Sequence, residues 1–277
     1  WVLRLLQKNK MAIYDCFQYF NEDHMVDLRL NILNEHVDYF VISESTKTHQ
    51  GEKKNLNFDI KKFSKYKKKI KYLVADFDQN KDFMKHTGGE SSIEKHQRNN
   101  LFEGIKTAHD NDLIILSDSD EIPDLKKLNQ IKSNTKYTAF SHMMFMYKLN
   151  LQNLDESNWI GSKLCLKKDC PSPQNLRDMK FKKYPFWRID KKDLQIINGG
   201  WHFSFLQSPE DIAKKIKSFS HGEYKTEDNI NINQINKKIK DNIDIFNRGH
   251  KLRKIDIDET YPNYILDNKS LLKDWII

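Results

Sequence analysis

Short runs of apolar and β-branched residues alternate with segments of helical periodicity through the first 120 residues, and this constrains the fold more than any other feature of the chain. MAIYDCF (11–17), VDYFVIS (37–43), IKYLVAD (70–76) and DLIILSD (112–118) each read as a buried strand. Between the first two, a helix from Glu22 places Met25, Leu28, Ile32 and Leu33 on one face. A polar loop through Gly51 leads to a Lys-rich surface helix near 58–66. Residues 77–90 with Gly88-Gly89 read as a loop, and Glu90 to Ala108 as a helix facing inward through Ile93, Leu101 and Ile105. Such alternation predicts an α/β sheet with helices on its faces.

Beyond Pro123 the pattern loosens. YTAFSHMMFMYKL (137–149) reads as one long strand and 150–185, with Pro171, Pro173 and Pro185, as irregular chain. Strands resume at FWRID (186–190) and LQIINGGWHFSFL (194–206). A helix then opens with Ser208 as N-cap, Pro209 at its first position and Glu210 and Asp211 in its first turn. Thr226 opens another that runs to about Phe246, with Arg248-Gly249 as its stop. No repeat or boundary divides the chain, so 1–277 is expected to be a single domain: a half over 11–130, a second half over 131–224 and a helical extension over 225–277.

With 38% hydrophobic and 12% aromatic residues, wholesale disorder is excluded. Lys+Arg 47 against Asp+Glu 39 leaves +8, which suits an anionic partner: a nucleotide, polyphosphate, nucleic acid or acidic membrane surface. The Lys/Asn-rich stretches behind that excess are also what an A+T-rich genome produces. Three cysteines without a CxxC pair make neither a disulfide framework nor a zinc site. No apolar run approaches the roughly 20 residues of a membrane span. The opening WVLRLLQKNK is too short and charged for a signal peptide, so a soluble body is expected, with room for an N-terminal anchor already removed.

The sharpest local feature is LIILSDSDEIP (113–123): a charge-free strand emerges into Asp118, Asp120 and Glu121 and stops at Pro123. Ligands of parallel α/β sheets bind beyond the carboxyl ends of the strands. Asp118 and Asp120, spaced i, i+2, share a side of an extended backbone. Two converging carboxylates there suit a hard divalent cation; an acidic turn capping the next helix is the other reading.

Four further segments, IYDCFQYFNE (13–22), YFVISESTKTHQGEKKNLNF (39–58), the helix bearing Glu94 and Arg98, and GGWHFSFLQSPEDIAKKIKSFSHGEY (199–224), join LIILSDSDEIP in one pattern that resembles glycosyltransferase family 17. This is the family of the enzyme that adds the bisecting β-1,4-linked N-acetylglucosamine to N-glycans. The resemblance covers residue 11 to about 224, with a weaker echo at YPNYILDNKSLLKDW (261–275). It implies a GT-A-like, Rossmann-type sheet across which a UDP-sugar lies, UDP-N-acetylglucosamine by family. It further implies Mn²⁺, or Mg²⁺, between the diphosphate and the Asp118/Asp120 pair, and inversion at the anomeric carbon.

Other site residues are weighed on that basis. Glu44 closes the second strand and either contacts the nucleoside or pairs with a nearby lysine. Arg98 is placed to reach the diphosphate or brace the acidic loop through its planar fork, the alternative being a surface pair with Glu94. Lys54, in a loop able to cover phosphates, is assigned to the donor with a solvated charge as its alternative. His202 follows two glycines and is either a core residue or a third metal ligand; Trp201 is core or a stacking platform for the sugar. The catalytic base is assigned to Glu223, beside His221, with Glu210 second and an acid from 150–198 as rival.

The expected function is thus a metal-dependent inverting transferase acting on a glycan acceptor, with no nucleic acid involved. A metal-dependent phosphodiesterase or nuclease, and a glycan- or nucleic-acid-binding protein without catalysis, are the alternatives. Few cysteines and no signal peptide point to a cytoplasmic or membrane-surface enzyme of bacterial or viral type, peripheral membrane association included.

Overall fold

The computed structural model describes residues 11–76, 91–182, 187–188, 193–218 and 224–277. Its first half is built as the alternation predicts. Strands β1 (Ile13–Tyr19), β2 (Tyr39–Ser45), β3 (Ile70–Ala75) and β4 (Leu113–Ser117) pair in parallel in the order β3-β2-β1-β4. Helix α1 (Asp23–Leu33) covers one face and α2 (Ser91–Gly104) the other. The burial follows the pleat: Ile13, Phe17, Phe40 and Ile42 face α1 through Met25, Val26, Leu30 and Leu33, while Tyr14, Cys16, Val41, Ile114 and Leu116 meet Leu101 and Ile105 of α2. Each such fully buried Leu or Met contributes roughly 1.5–3 kcal/mol.

The sheet continues into a mixed second half. β5 (Glu121–Pro123), β6 (Tyr137–Met146), β7 (Leu151–Asn153), β8 (Trp159–Leu166), β9 (Leu194–Ser204) and β10 (Leu252–Lys254) complete ten strands, with main order β10-β7-β6-β8-β4-β1-β2-β3. β9 lies parallel to β6 and takes β5 antiparallel on its other edge. Helices α3 (Pro173–Asp178), α4 (Pro209–Ser218), α5 (Glu227–Ile230), α6 (Ile232–Lys240) and α7 (Asn263–Asp267) are short. A separate apolar cluster packs α4 and α6 onto Met144, Met146, Leu151 and Phe205.

Three local expectations are corrected. The Lys-rich stretch near 58–66 is a chain of turns with one 3₁₀ turn at Ser64–Tyr66, because only Phe63 and Tyr66 are buried there and no continuous apolar face exists. The segment 150–185 holds β7, β8 and α3 rather than irregular chain. The helix expected from Thr226 to Phe246 is broken at Asn231, whose side chain accepts from the N–H groups of Asn233 and Gln234 and starts a new helix. At FWRID, Trp187 and Arg188 lie in no strand, and the rest falls outside the described residues. So do the loop at 77–90, His221 and Glu223.

Candidate functional site

β4 delivers its chain to the sheet's carboxyl edge and the backbone then turns through Asp118-Ser119-Asp120 into β5. β5 leaves β4's neighbours and pairs with β9, setting Glu121 opposite His202. That register brings His202 to the acidic turn, with Nε2 3.5 Å from Asp120 Oδ1. Period-two alternation sends the adjacent Trp201 the other way: it is buried in the core and its indole N–H donates to the Thr260 carbonyl at 3.2 Å. Trp201 is therefore a core residue and no platform for a sugar.

A cavity of about 790 Å³ opens at this edge. Gln18, Tyr19, Phe20, Thr48 and His49 line it from the ends of β1 and β2; Met144, Trp159, Phe205, Phe246 and Arg248 line it from the second half. Asp118, Asp120, His202, Arg98 and Lys54, five of the residues singled out from sequence, meet in it. Glu210 is exposed on α4 and absent from its lining, as a helix-capping acid would be.

Protein cations hold both acids of the turn. Asp118 accepts from Arg177 at 2.6 Å and from Arg98 at 3.3 Å. Burial opposes its ionisation, but the two guanidinium groups outweigh it and hold its carboxyl below the usual range. Asp120 lies 3.3 Å from Lys215, and against the same burial Lys215 and His202 push its carboxyl well down. His202 is moved the other way: burial disfavours its charge, yet Asp120 raises its pKa above that of a free imidazole. Lys163 loses more to burial and to Arg177 beside it than its acidic neighbours restore, and its ammonium is lowered to about 8.

The turn is fixed from below. Arg29, fully buried on α1, makes a two-pronged bridge to Asp15 of β1 at 2.6 and 2.7 Å. Its remaining nitrogen donates to the carbonyls of Asp118 (3.1 Å), Ser119 (3.3 Å) and Glu121 (2.6 Å). Glu121, also fully buried, accepts from Trp159 Nε1 at 2.7 Å, from Arg177 at 3.2 Å and from the Asp118 N–H at 3.1 Å. It secures the loop, taking the Asp118 N–H and sharing Arg177 with the Asp118 carboxylate.

Glu44 is saturated inside the protein. Its oxygens accept from Lys54 Nζ (2.5 Å), the N–H groups of Asn57 (2.8 Å) and Phe58 (3.1 Å), and Tyr72 Oη (2.8 Å). It is fully buried and does not line the cavity. Instead of contacting a nucleoside it holds the 54–58 loop and aims Lys54. Arg98 keeps its pairing with Glu94 at 2.7 Å, but it is buried and also donates to Gln174 and Asp118, so the helix-surface pair is only one of its contacts.

The sequence reading missed Arg177, Lys215, Arg29 with Asp15, and Trp159. Only Pro173, with Ser172 as N-cap, signalled the short helix that carries Arg177. Lys215 is one lysine among many.

Asp118, Asp120 and His202 supply the oxygen and imidazole donors that suit Mn²⁺ or Mg²⁺, and His202 Nδ1 is buried without a hydrogen-bond partner among the described residues. Among the described residues, no three metal-ligating side chains yet stand close enough together to enclose a cation.

The sequence profile of glycosyltransferase family 17 matches residues 1–249. No curated protein matches the chain. Among solved structures, HddC from Yersinia pseudotuberculosis, complexed with GMP-PN, is similar at 12% identity over 70% of this chain and 89% of its own, with a TM-score of 0.33. Glucosyl-3-phosphoglycerate synthase from Mycobacterium tuberculosis, in complex with Mn²⁺, UDP and phosphoglyceric acid, is 13% identical over 71% and 72%, with a TM-score of 0.35. A glycosyltransferase involved in glycosylation of the major capsid of PBCV-1 is 10% identical over 68% and 80%, with a TM-score of 0.30. None is near enough to lend a ligand or a residue role. The match over 1–249 is of another kind, since it spans most of the sequence and both halves of the cavity, and it places the chain in glycosyltransferase family 17.

Proposed function

We propose that the protein is a metal-dependent, inverting glycosyltransferase that takes a sugar, N-acetylglucosamine by family resemblance, from a UDP-sugar to a hydroxyl of a glycan. The observation that carries this reading is the opposition of charges in one cavity: Asp118 and Asp120 stand among Arg98, Arg177 and Lys215 at the carboxyl end of a parallel strand. Carboxylates and cations interleaved in this way suit a diphosphate that arrives with a divalent ion. Asp118, Asp120 and His202 would hold that ion, which when bound supplies Lewis-acid neutralisation of the departing phosphate.

The protein's own side chains have separate tasks. Arg98 and Arg177 present planar forks able to bind phosphate oxygens in pairs. Lys54, aimed by Glu44, adds a cation on the β2 side. Arg29 and Glu121 keep the turn from moving as charge develops on the leaving group, the preorganisation that makes electrostatic stabilisation effective. Lys215 helps to neutralise that charge from α4.

The test is a panel of nucleotide sugars with and without Mn²⁺, read by thermal stabilisation and nucleotide release. A ligand at a hundred times its Kd adds about 2.7 kcal/mol to stability. Asp120→Asn is expected to abolish Mn²⁺-dependent UDP binding and turnover. Because it strands Lys215 and His202, its unliganded melting temperature should fall with the transition still cooperative, whereas EDTA should abolish the same binding in the wild type without touching those pairs. Undiminished Mn²⁺-dependent turnover in the variant would end the assignment of the acidic pair. Steeply salt-dependent, stoichiometric nucleic-acid binding without sugar transfer would favour the non-catalytic alternative.

A further inference from the structure

Six acidic side chains among the described residues line the cavity: Glu22, Glu94, Asp118, Asp120, Glu156 and Asp178. Five are engaged. Glu22 accepts the N–H groups of Phe20 and Asn21, each at 3.1 Å, and faces Lys215 at 3.3 Å. Glu94 pairs with Arg98, Asp178 accepts from Gln174 at 2.8 Å, and Asp118 and Asp120 are held by the cations already described.

Glu156 differs. Its Oε2 is buried and has no hydrogen-bond partner among the described residues. Arg248 and the His250 imidazole stand 3.7 and 3.8 Å from its oxygens, within ion-pairing distance but beyond hydrogen-bonding reach. Asp244 anchors that guanidinium through Nε and Nη2 at 3.0 and 2.7 Å, which leaves Nη1 toward Glu156. The turn that carries Glu156 is set in advance: Asn153 Oδ1 accepts the N–H groups of Asp155 and Glu156 at 3.0 and 3.2 Å, and Trp159 is fastened to Glu121. A half-buried carboxylate that faces the cavity on a braced turn, with one oxygen taking no hydrogen bond among the described residues, suits a group that must accept a proton.

The topology puts it on the right side. In the strand order, β8 adjoins one side of β4 and β1 the other, with β2 beyond β1, so the Asp118–Asp120 turn lies between the β1–β2 wall and the turn that leads into β8. An inverting displacement needs the incoming hydroxyl and the leaving phosphate on opposite faces of the anomeric carbon. With Trp159 and Phe246, both half-buried at the cavity, the second half also offers the flat apolar surfaces against which saccharide rings stack.

We propose that Glu156 is the general base of the transfer and that the wall of Trp159 and Phe246 receives a saccharide acceptor; this rests on the transferase reading above. In the step, the acceptor oxygen forms its bond to the anomeric carbon as its proton passes to the Glu156 carboxylate. The bond from that carbon to the phosphate oxygen breaks, its electron pair leaves with the nucleoside diphosphate, and Glu156 later returns the proton to solvent.

The test compares wild type, Glu156→Gln, Glu156→Ala and Glu223→Gln, using the nucleotide sugar that the wild type turns over and UDP as the binding probe. Glu156→Gln is expected to lose about 10²-fold or more in kcat while its UDP affinity and melting temperature stay at wild-type values. In Glu156→Ala, azide, a nucleophile with no proton to lose, should restore turnover and give the glycosyl azide, which a merely structural role would not produce. The proposal is overturned if Glu156→Gln keeps wild-type turnover, if UDP binding disappears along with turnover, if azide restores nothing, or if Glu223→Gln alone abolishes the reaction. A wild type that binds UDP and turns over a donor isolates any such failure to Glu156; one that does neither overturns the transferase reading and this base with it.

Discussion

Arg29 and Asp15 meet without solvent, and desolvating two charges is costly enough that such a pair adds little net stability while the loss of one partner adds much instability. Arg29→Met is therefore expected to cost about 3–5 kcal/mol in urea unfolding, with part of it recovered when Asp15→Asn removes the stranded carboxylate. A loss below about 1 kcal/mol would mean that the acidic turn does not depend on this support. Arg98→Lys keeps the charge but cannot serve Gln174, Glu94 and Asp118 together, so calorimetry should find UDP affinity reduced at least tenfold; an unchanged affinity would put the nucleotide elsewhere. Asp118, Asp120 and His202 could be brought together on paper because each stands at a strand end or in a strand beside glycines, where local pattern has meaning. Glu44 and Trp201 were harder, since alternation says which face a side chain takes and not what waits there. Arg177 and Lys215 were beyond reach, being 59 and 95 residues from the aspartates they hold.

Strand β8 was hidden by its own polar residues. Ser162 bonds Ser117 at 2.7 Å and Lys163 caps the carbonyls of Arg177 and Met179, so a fully interior strand carries hydrophilic groups because the neighbouring site uses them. Strand β9 shows the reverse case, a weak-looking GG that the sheet requires. Gly200 has φ +119°, and a Cβ there would meet the Ile122 carbonyl and His142 at 2.6 Å. Gly200→Ala should cost about 1–3 kcal/mol from backbone strain alone and lower turnover as well, because the β5–β9 register that sets His202 beside Asp120 must shift. The segment after α6 makes a pH-dependent contribution. Burial opposes the charge of Asp244, but its bonds from Arg248 prevail and lower its pKa. That stability is complete above the ordinary aspartate range near 4 and is lost as pH falls through the lowered folded value. Wild type and Asp244→Asn should accordingly differ by about 1–3 kcal/mol at pH 7 and converge once the pH has fallen below the lowered folded value, as read from urea midpoints across the range.

On the scale of the whole molecule, the alternating first half was legible because parallel strands buried on both faces leave nearly continuous apolar runs. The C-terminal region was less so: residues expected as a helical extension carry β10, and Tyr261 and Ile265 belong to the core shared with α1 and β1. The N–H of Leu149 donates to the Trp275 carbonyl, Asn150 holds the backbone at Ile255 and Ile277, and Tyr261 Oη donates to the Leu149 carbonyl. Removing 255–277 should thus abolish the cooperative thermal transition instead of trimming an appendage, which scanning calorimetry would decide. The cations lodged on Asp118 and Asp120 have a thermodynamic corollary for loading. A metal ion arriving alone must compete with Arg177 and Lys215 for those carboxylates, and a diphosphate arriving alone must draw the same two cations from them. Arriving together, each ligand takes up the partner that the other displaces, so Mn²⁺ and UDP should bind with positive cooperativity, each tightening the other by one and the same factor.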